Sequence, residues 1–254
     1  GRRALTLRAV AIAATIVLVL RPEALTGPGF QMSFAATTGL VAIFGWLRNA
    51  EVSLGPKWLA PAVATVISSA VAGGFTAPIG AAHFNTIAQY GLVANLLSVP
   101  LMGVLVMPAA VAALVMAPLG LEWIPLQVMG AGLRWILLVA QGVAEIDGAQ
   151  GHVAAPGPWV LPLLALGFLW LLLWQGWLRF AGLGAVIAAG VLWHGAERPT
   201  VLISDTGSLV GVMTPTGRAL SKAKGAGFVA LNWLENDGDG ADQARAAARW
   251  PTRP

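Results

Sequence analysis

The chain has 254 residues, of which 57% are hydrophobic and 10% charged, and its formal net charge at pH 7 is +4. This composition argues against an ordinary soluble α/β enzyme, because runs of about 20 apolar residues are long enough to cross a bilayer as helices. The sequence contains no cysteine, which excludes disulfides, thiolate metal sites and a cysteine nucleophile in this chain.

Apolar runs along the chain predict about seven membrane-spanning helices. Residues 90–116 are too many for one straight crossing and include Pro100 and Pro108, so we expect a kinked or broken helix there, or two short segments. Gly184 and Ala188 have the spacing at which small residues let helices approach closely. The predicted spans are 4–20, 29–47, 58–79, 90–116, 124–145, 159–174 and 177–195.

Basic residues in the short loops predict an orientation, since such residues are enriched on the cytoplasmic side. If 90–116 is one crossing, the loop 146–158, which has no Lys or Arg, lies outside together with the tail, in the periplasm of a Gram-negative cell. Arg21 disagrees with this orientation. The residues expected on the cytoplasmic side are Arg2, Arg3, Arg48, Lys57 and Arg179.

The character of the sequence changes near residue 197, which predicts a transmembrane part at 1–196 and a small soluble appendage at 197–254. "TVLISDTGSLVGVM" is typical of two strands joined by a turn. "GFVALNWLENDGDG" indicates a third strand or a short helix, and "ADQARAAARW" indicates a helix. The predicted fold is therefore an all-α polytopic membrane protein with a small β-rich carboxyl-terminal tail.

Two short motifs in the tail resemble chemical sites. "SDTGS" at 204–208 matches the core of aspartic proteases, but such an enzyme needs a second aspartate, and a hairpin turn explains the same letters. "ENDGDGADQA" resembles a calcium loop, although Ala246 stands at its twelfth position, where a bidentate Glu belongs. A solvated loop is the simpler interpretation. The three histidines are far apart and have no zinc-binding spacing, and there is no Walker motif, so we expect neither an enzyme nor a cofactor or metal.

Neutral polar residues are concentrated in two islands, 21–40 and 83–100, between apolar runs. If the second island is helical, Asn85 and Gln89 share a face, as do Thr86 and Tyr90. Buried amides in lipid need partners, so these residues either bond neighbouring helices or line a hydrophilic path. The residues predicted to line such a path are Gln31, Ser33, Phe34, His83, Phe84, Asn85, Gln89, Tyr90 and Asn95.

The same two islands carry a family resemblance. "GPGFQMSFAATTGL" resembles the G-F-Q-[LM]-S-F motif of ComEC-type competence proteins, and "HFNTIAQYGLVANLLSVPLMGVLVMP" resembles their H-F…Y-G-L-x-A-N-L-x-x-x-P segment. The resemblance implies a carboxyl-terminal fragment of an inner-membrane channel that passes single-stranded DNA into the cytoplasm during natural transformation. It also implies a periplasmic DNA receptor and a cytoplasmic helicase-type motor as partners, besides the lipid bilayer.

One feature departs from the family. Many members carry a metallo-β-lactamase-like domain after the spans, whereas the tail here lacks its H-x-H-x-D-H motif. Two other functions stay open at this point: a small-solute transporter, which an internal inverted repeat would indicate, and a membrane-embedded enzyme, which needs an ionisable pair at membrane depth.

Overall fold

The computed structural model describes residues 6–250, so the first two residues of the span predicted at 4–20, as well as Arg2 and Arg3, lie outside the described part. Ten α-helices and five short strands occur within it. The helices are α1 (Leu7–Leu20), α2 (Pro28–Asn49), α3 (Ala60–Phe84), α4 (Gly91–Leu101), α5 (Met107–Met116), α6 (Trp123–Ala144), α7 (Val160–Leu173), α8 (Ala181–His194), α9 (Gly227–Asn236) and α10 (Gln243–Ala248). The strands are β1 (Thr86–Ala88), β2 (Gln150–His152), β3 (Val201–Ile203), β4 (Val210–Thr214) and β5 (Gly217–Leu220); β1 and β2 form a two-stranded sheet.

In the described part of the chain, five helical stretches are long and apolar enough to cross a membrane. Two further apolar helices, α1 and α7, have 14 residues each. Every predicted span thus contains a helix, and five of the seven have spanning length. The five stretches are Pro28–Asn49, Ala60–Phe84, Gly91–Leu119, Trp123–Ala144 and Trp177–His194.

The predicted irregularity near the two prolines is a π-helical turn at Met102–Val106. Gly91–Leu119 is one helical stretch of 29 residues, not two separate segments. The N–H of Met107 bonds the carbonyl of Met102, five residues earlier. Pro108 follows directly, and a proline has no N–H and its ring clashes with the carbonyl four residues before it. The wider π turn accommodates this ring without ending the helix.

Contacts between Cα atoms divide the chain into two compact units. The first unit contains residues up to Leu25, Ser33–Thr76 and Ala88–Gly151; the second contains Thr26–Met32, Ala77–Ile87 and the chain from His152 onward. The boundary predicted at 196/197 concerns which residues lie in the membrane, and it stays a prediction.

Close helix contacts in both units are made at glycines. In the first unit, a Cβ added to Gly39 would lie 2.6 Å from the Phe75 ring, so α2 and α3 touch at this point. In the second, a Cβ on Gly182 would lie 2.6 Å from the Gly167 carbonyl oxygen, which places α7 and α8 in backbone contact. A Cβ on Gly184 would meet nothing within 4 Å. The close contact predicted at Gly184 was therefore wrong, because the two helices touch at Gly182 instead.

The carboxyl-terminal part folds around its own small core. Strands β3, β4 and β5 form an antiparallel sheet in that order, with Leu202 opposite Gly211 and Gly211 opposite Leu220. The predicted hairpin is confirmed, and its "SDTGS" turn is closed by a 2.7 Å bond from the Gly207 N–H to the Ser204 carbonyl. Strand β5 was not predicted, and α9 resolves the third element as a helix. The buried core residues are Leu209, Leu220, Ala230, Leu234 and Ala246.

The acidic stretch after α9 is not the solvated loop that its sequence suggested. Arg218 is fully buried and forms a bidentate ion pair with Asp237, whose side chain is 6% exposed. Asp239 pairs with Arg249, and Asp242 caps α10 by accepting the Arg245 N–H at 2.7 Å. Asp237 and Asp239 are thus used inside the fold, because arginines that are not their sequence neighbours are brought to them.

Candidate functional site

One hydrogen bond joins the two polar islands. Nε2 of His83, near the end of α3, lies 2.8 Å from Oε1 of Gln31 in the first turn of α2. A carbonyl oxygen can only accept, so Nε2 carries the proton and, in a neutral ring, Nδ1 is left as the acceptor. Both side chains are half-buried. The bond lies within the second unit and places a titratable ring against a neutral amide.

Asn85 ends α3 immediately after His83 and Phe84. Its backbone has φ 56°, in the left-handed region that asparagine tolerates better than other non-glycine residues. The residue is 7% exposed. Its carbonyl accepts the Val153 N–H at 2.8 Å, and its Nδ2 donates to the Val153 carbonyl at 3.3 Å. Asn85 thus ends the helix, and both its backbone carbonyl and its side chain are hydrogen-bonded to Val153, 68 residues later in the chain.

This geometry corrects the predicted helix through the second island. Residues Thr86–Ala88 form strand β1, so Asn85 and Gln89, or Thr86 and Tyr90, are not neighbours on a helix face. The physical reason is the left-handed Asn85, which stops the i to i−4 pattern before it reaches Gln89. Helix α4 starts only at Gly91.

The other predicted path residues lie at several places. Phe84 is 54% exposed and belongs to the second unit with Gln31, His83 and Asn85. The remaining five belong to the first unit, where Ser33, Gln89 and Asn95 are exposed, Tyr90 is at the exposed limit and Phe34 is half-buried. Among the nine, Gln31 and His83 are joined by a direct hydrogen bond, and Asn85 lies two residues after His83. A path lined by all nine stays a prediction.

Sequence reasoning missed the segment His152–Ala155, hereafter the linking segment. Both polar backbone groups of Val153 bond Asn85. The Ala154 carbonyl accepts from Trp193 Nε1 at 2.8 Å, and the Ala155 carbonyl accepts from Arg198. The Ala155 N–H donates to the carbonyl of Asn236 at 2.9 Å. The segment therefore bonds the end of α3 and the carboxyl-terminal part at the same time.

Two glycines let the carboxyl-terminal backbone lie directly on the linking segment. A Cβ on Gly238, which has φ +72°, would be 2.5 Å from the Ala154 nitrogen. A Cβ on Gly240 would be 2.6 Å from Cε1 of His152. The only sequence signal for this contact was "DGDG" itself, which resembled a calcium loop.

The charged groups at this contact favour ionised Asp239. Burial alone raises the pKa of Asp239, but hydrogen bonds from Arg249 and the Ala241 N–H outweigh it, together with the charges of Arg249 and His152, and the pKa lies below its usual value. Within residues 6–250, no three His, Asp or Glu side chains are grouped so as to hold a metal ion.

Helices of spanning length and a small folded tail define the class as a helical membrane protein. The family described as Competence protein matches residues 1–178, more than half of the chain, and the chain belongs to that family. It is 24% identical over 172 residues to the ComE operon protein 3 of Bacillus subtilis (strain 168). That similarity covers 65% of this chain and 20% of the relative, so the chain spans about a fifth of that protein. No solved structure matches the chain.

Proposed function

We propose that this chain forms part of the inner-membrane channel that passes single-stranded DNA into the cytoplasm during natural transformation. The observation that carries the proposal is the bond between Gln31 and His83, because it joins the two motifs by which the chain resembles competence proteins. Membership of the competence family and the similarity to a ComE operon protein support it.

The chemistry of the two islands suits transit of a strand. Amides and hydroxyls can replace water around a phosphate without holding it, whereas a row of arginines would bind it tightly and with strong salt dependence. Exposed rings offer stacking surfaces that tolerate any base, and Phe84 and Tyr90 are 54% and 36% exposed. We assign delivery of DNA to a periplasmic receptor and traction to a cytoplasmic helicase-type motor, as the resemblance implies.

The proposal includes seven crossings, with the tail in the periplasm. Helices α1 and α7, of 14 residues each, are about 21 Å long at 1.5 Å per residue, against a hydrocarbon thickness of about 30 Å. They cross only if the bilayer thins around them or flanking residues continue the span. Since this chain has no cysteine, single cysteines at the exposed positions Lys57 and Asp205 test the orientation. An impermeant maleimide applied from the periplasm should label the second and not the first.

The decisive experiment uses substitutions in the natural protein. Gln31→Leu and Asn95→Leu should each abolish transformation while the protein still inserts into the membrane, because each removes an amide from one island. Gln141→Leu is the matched control, since Gln141 is an exposed amide in α6 outside both islands. Normal transformation in both island variants would contradict the proposal. Equal loss in the control would show that any amide removal is harmful.

A further inference from the structure

The linking segment leaves almost none of its backbone unbonded. Of the six N–H and C=O groups of Val153, Ala154 and Ala155, five have the partners described above, which are Asn85 at the end of α3, Trp193 in α8, and two residues of the carboxyl-terminal part. Extended backbone that is bonded this fully cannot shift without breaking several bonds together. A displacement of the carboxyl-terminal part should therefore also displace Asn85 at the end of α3.

The residue that the linking segment bonds at the end of α3, Asn85, has a strained backbone. A non-glycine residue in the left-handed region costs of the order of 1–3 kcal/mol and persists only where its surroundings hold it. Asn85 has this conformation, and its two bonds to Val153 help to hold it there. Because Asn85 ends α3, its position decides where the last turn of α3, and with it His83, stands relative to Gln31.

We infer that residues 197–250, hereafter the carboxyl-terminal module, act as a positioning element for the Gln31–His83 pair, through Gly238, Gly240 and the linking segment. The role of that pair in DNA passage rests on the proposed function, whereas the positioning role rests on the bonds and close contacts described above. In this assignment Gly238, Gly240, Val153 and Asn85 are positioning residues.

Amide hydrogen exchange of the full chain in lipid nanodiscs tests the inference. Gly238→Ala forces a Cβ against Ala154, and Gly207→Ala is its matched control, since Gly207 has φ +66° with nothing within 4 Å of its Cβ position. Both substitutions place alanine at positive φ within the module. Exchange in residues 82–87 should rise about tenfold in Gly238→Ala and stay unchanged in Gly207→Ala. Faster exchange at 150–156 with unchanged exchange at 82–87 would overturn the inference.

A second pair of variants decides the matter if Gly238→Ala unfolds the module. Gly240→Ala places a Cβ against the His152 ring, so it should accelerate exchange at 82–87, and adding His152→Ala should restore slow exchange by removing the ring. A general loss of stability would not be rescued by a further truncation. Failure of this rescue would contradict the contact on which the inference depends.

Transformation assays on the same variants separate the two proposals. If exchange at 82–87 rises in Gly238→Ala but Gln31→Leu and Asn95→Leu both transform normally, the positioning role stands and the proposed function falls. If Gln31→Leu abolishes transformation but exchange at 82–87 is unchanged in Gly238→Ala, the proposed function stands and the positioning role falls.

Discussion

Nε2 of His83 lies 2.8 Å from Oε1 of Gln31, although the two residues are 52 positions apart in the chain. Each belongs to a different one of the two polar islands, so this bond joins the islands within the second unit. A half-buried imidazole and a half-buried amide satisfy each other here, at the end of α3 and the start of α2.

The energy of this bond can be measured with a double-mutant cycle. His83→Ala and Gln31→Ala should each destabilise the chain, and the double variant should be more stable than the sum of both losses predicts. We expect a coupling of about 0.6–2 kcal/mol, the range for hydrogen bonds between helices in membranes. The measurement is denaturant unfolding in detergent micelles. Strictly additive losses would show that the two side chains do not interact.

Asn85 should tolerate glycine better than alanine. Both substitutions remove the side-chain bond to Val153, but glycine adopts φ 56° freely, whereas alanine also pays for the left-handed backbone. The alanine variant should therefore be less stable than the glycine variant by about 1 kcal/mol. Thermal unfolding of both variants checks this order, and equal stabilities would mean that Asn85 is not held in the left-handed region.

The contact between α7 and α8 should depend on Gly182 and not on Gly184. Gly182→Ala drives a Cβ against the Gly167 carbonyl and should cost about 1–3 kcal/mol, as other overpacking substitutions do. Gly184→Ala serves as the control, because its Cβ position is open. Stability in micelles separates them; a harmless Gly182→Ala would mean that the two helices are not in backbone contact.

Breaking the buried Arg218–Asp237 pair should be far more harmful than removing it. Arg218→Met leaves a nearly buried carboxylate without its partner, which typically costs 3–5 kcal/mol, of the order of the whole stability of a small module. Arg218→Met combined with Asp237→Leu removes both charges and should recover much of that loss. Resistance of the carboxyl-terminal module to limited proteolysis reports the difference. Equal sensitivity of the single and double variants would contradict this view of the pair.

Acid should weaken the carboxyl-terminal module through Asp239. Because the pKa of this carboxyl in the folded chain is lowered from 3.8, the ionised form binds its partners and adds stability above that value. The contribution is lost as the pH falls below 3.8 and through the folded pKa. Asp239→Asn should flatten the part of the stability profile that lies below pH 3.8. An unchanged acid profile in the variant would show that Asp239 does not contribute.

The sequence was sufficient to predict the features that depend on neighbouring residues. Apolar runs predicted the membrane class and the five helical stretches of spanning length, since span length and hydropathy are local properties. Turn chemistry predicted the hairpin at "SDTGS", and Pro100 and Pro108 predicted an irregular helix. The two polar islands were found in the same way, and they carry the family resemblance.

Only the tertiary structure decided which of those residues meet. Gln31 bonds His83 at a separation of 52 residues, and Asn85 bonds Val153 at a separation of 68, distances over which no periodic pattern carries information. Asn85 takes a left-handed conformation because Val153 compensates for its cost, so the helix that looked continuous through the second island ends there. The acidic stretch likewise looked solvated until the fold placed Arg218 and Arg249 beside it. Local composition thus determined the membrane class and the positions of the helices. Long-range bonding determined which partners these polar groups have.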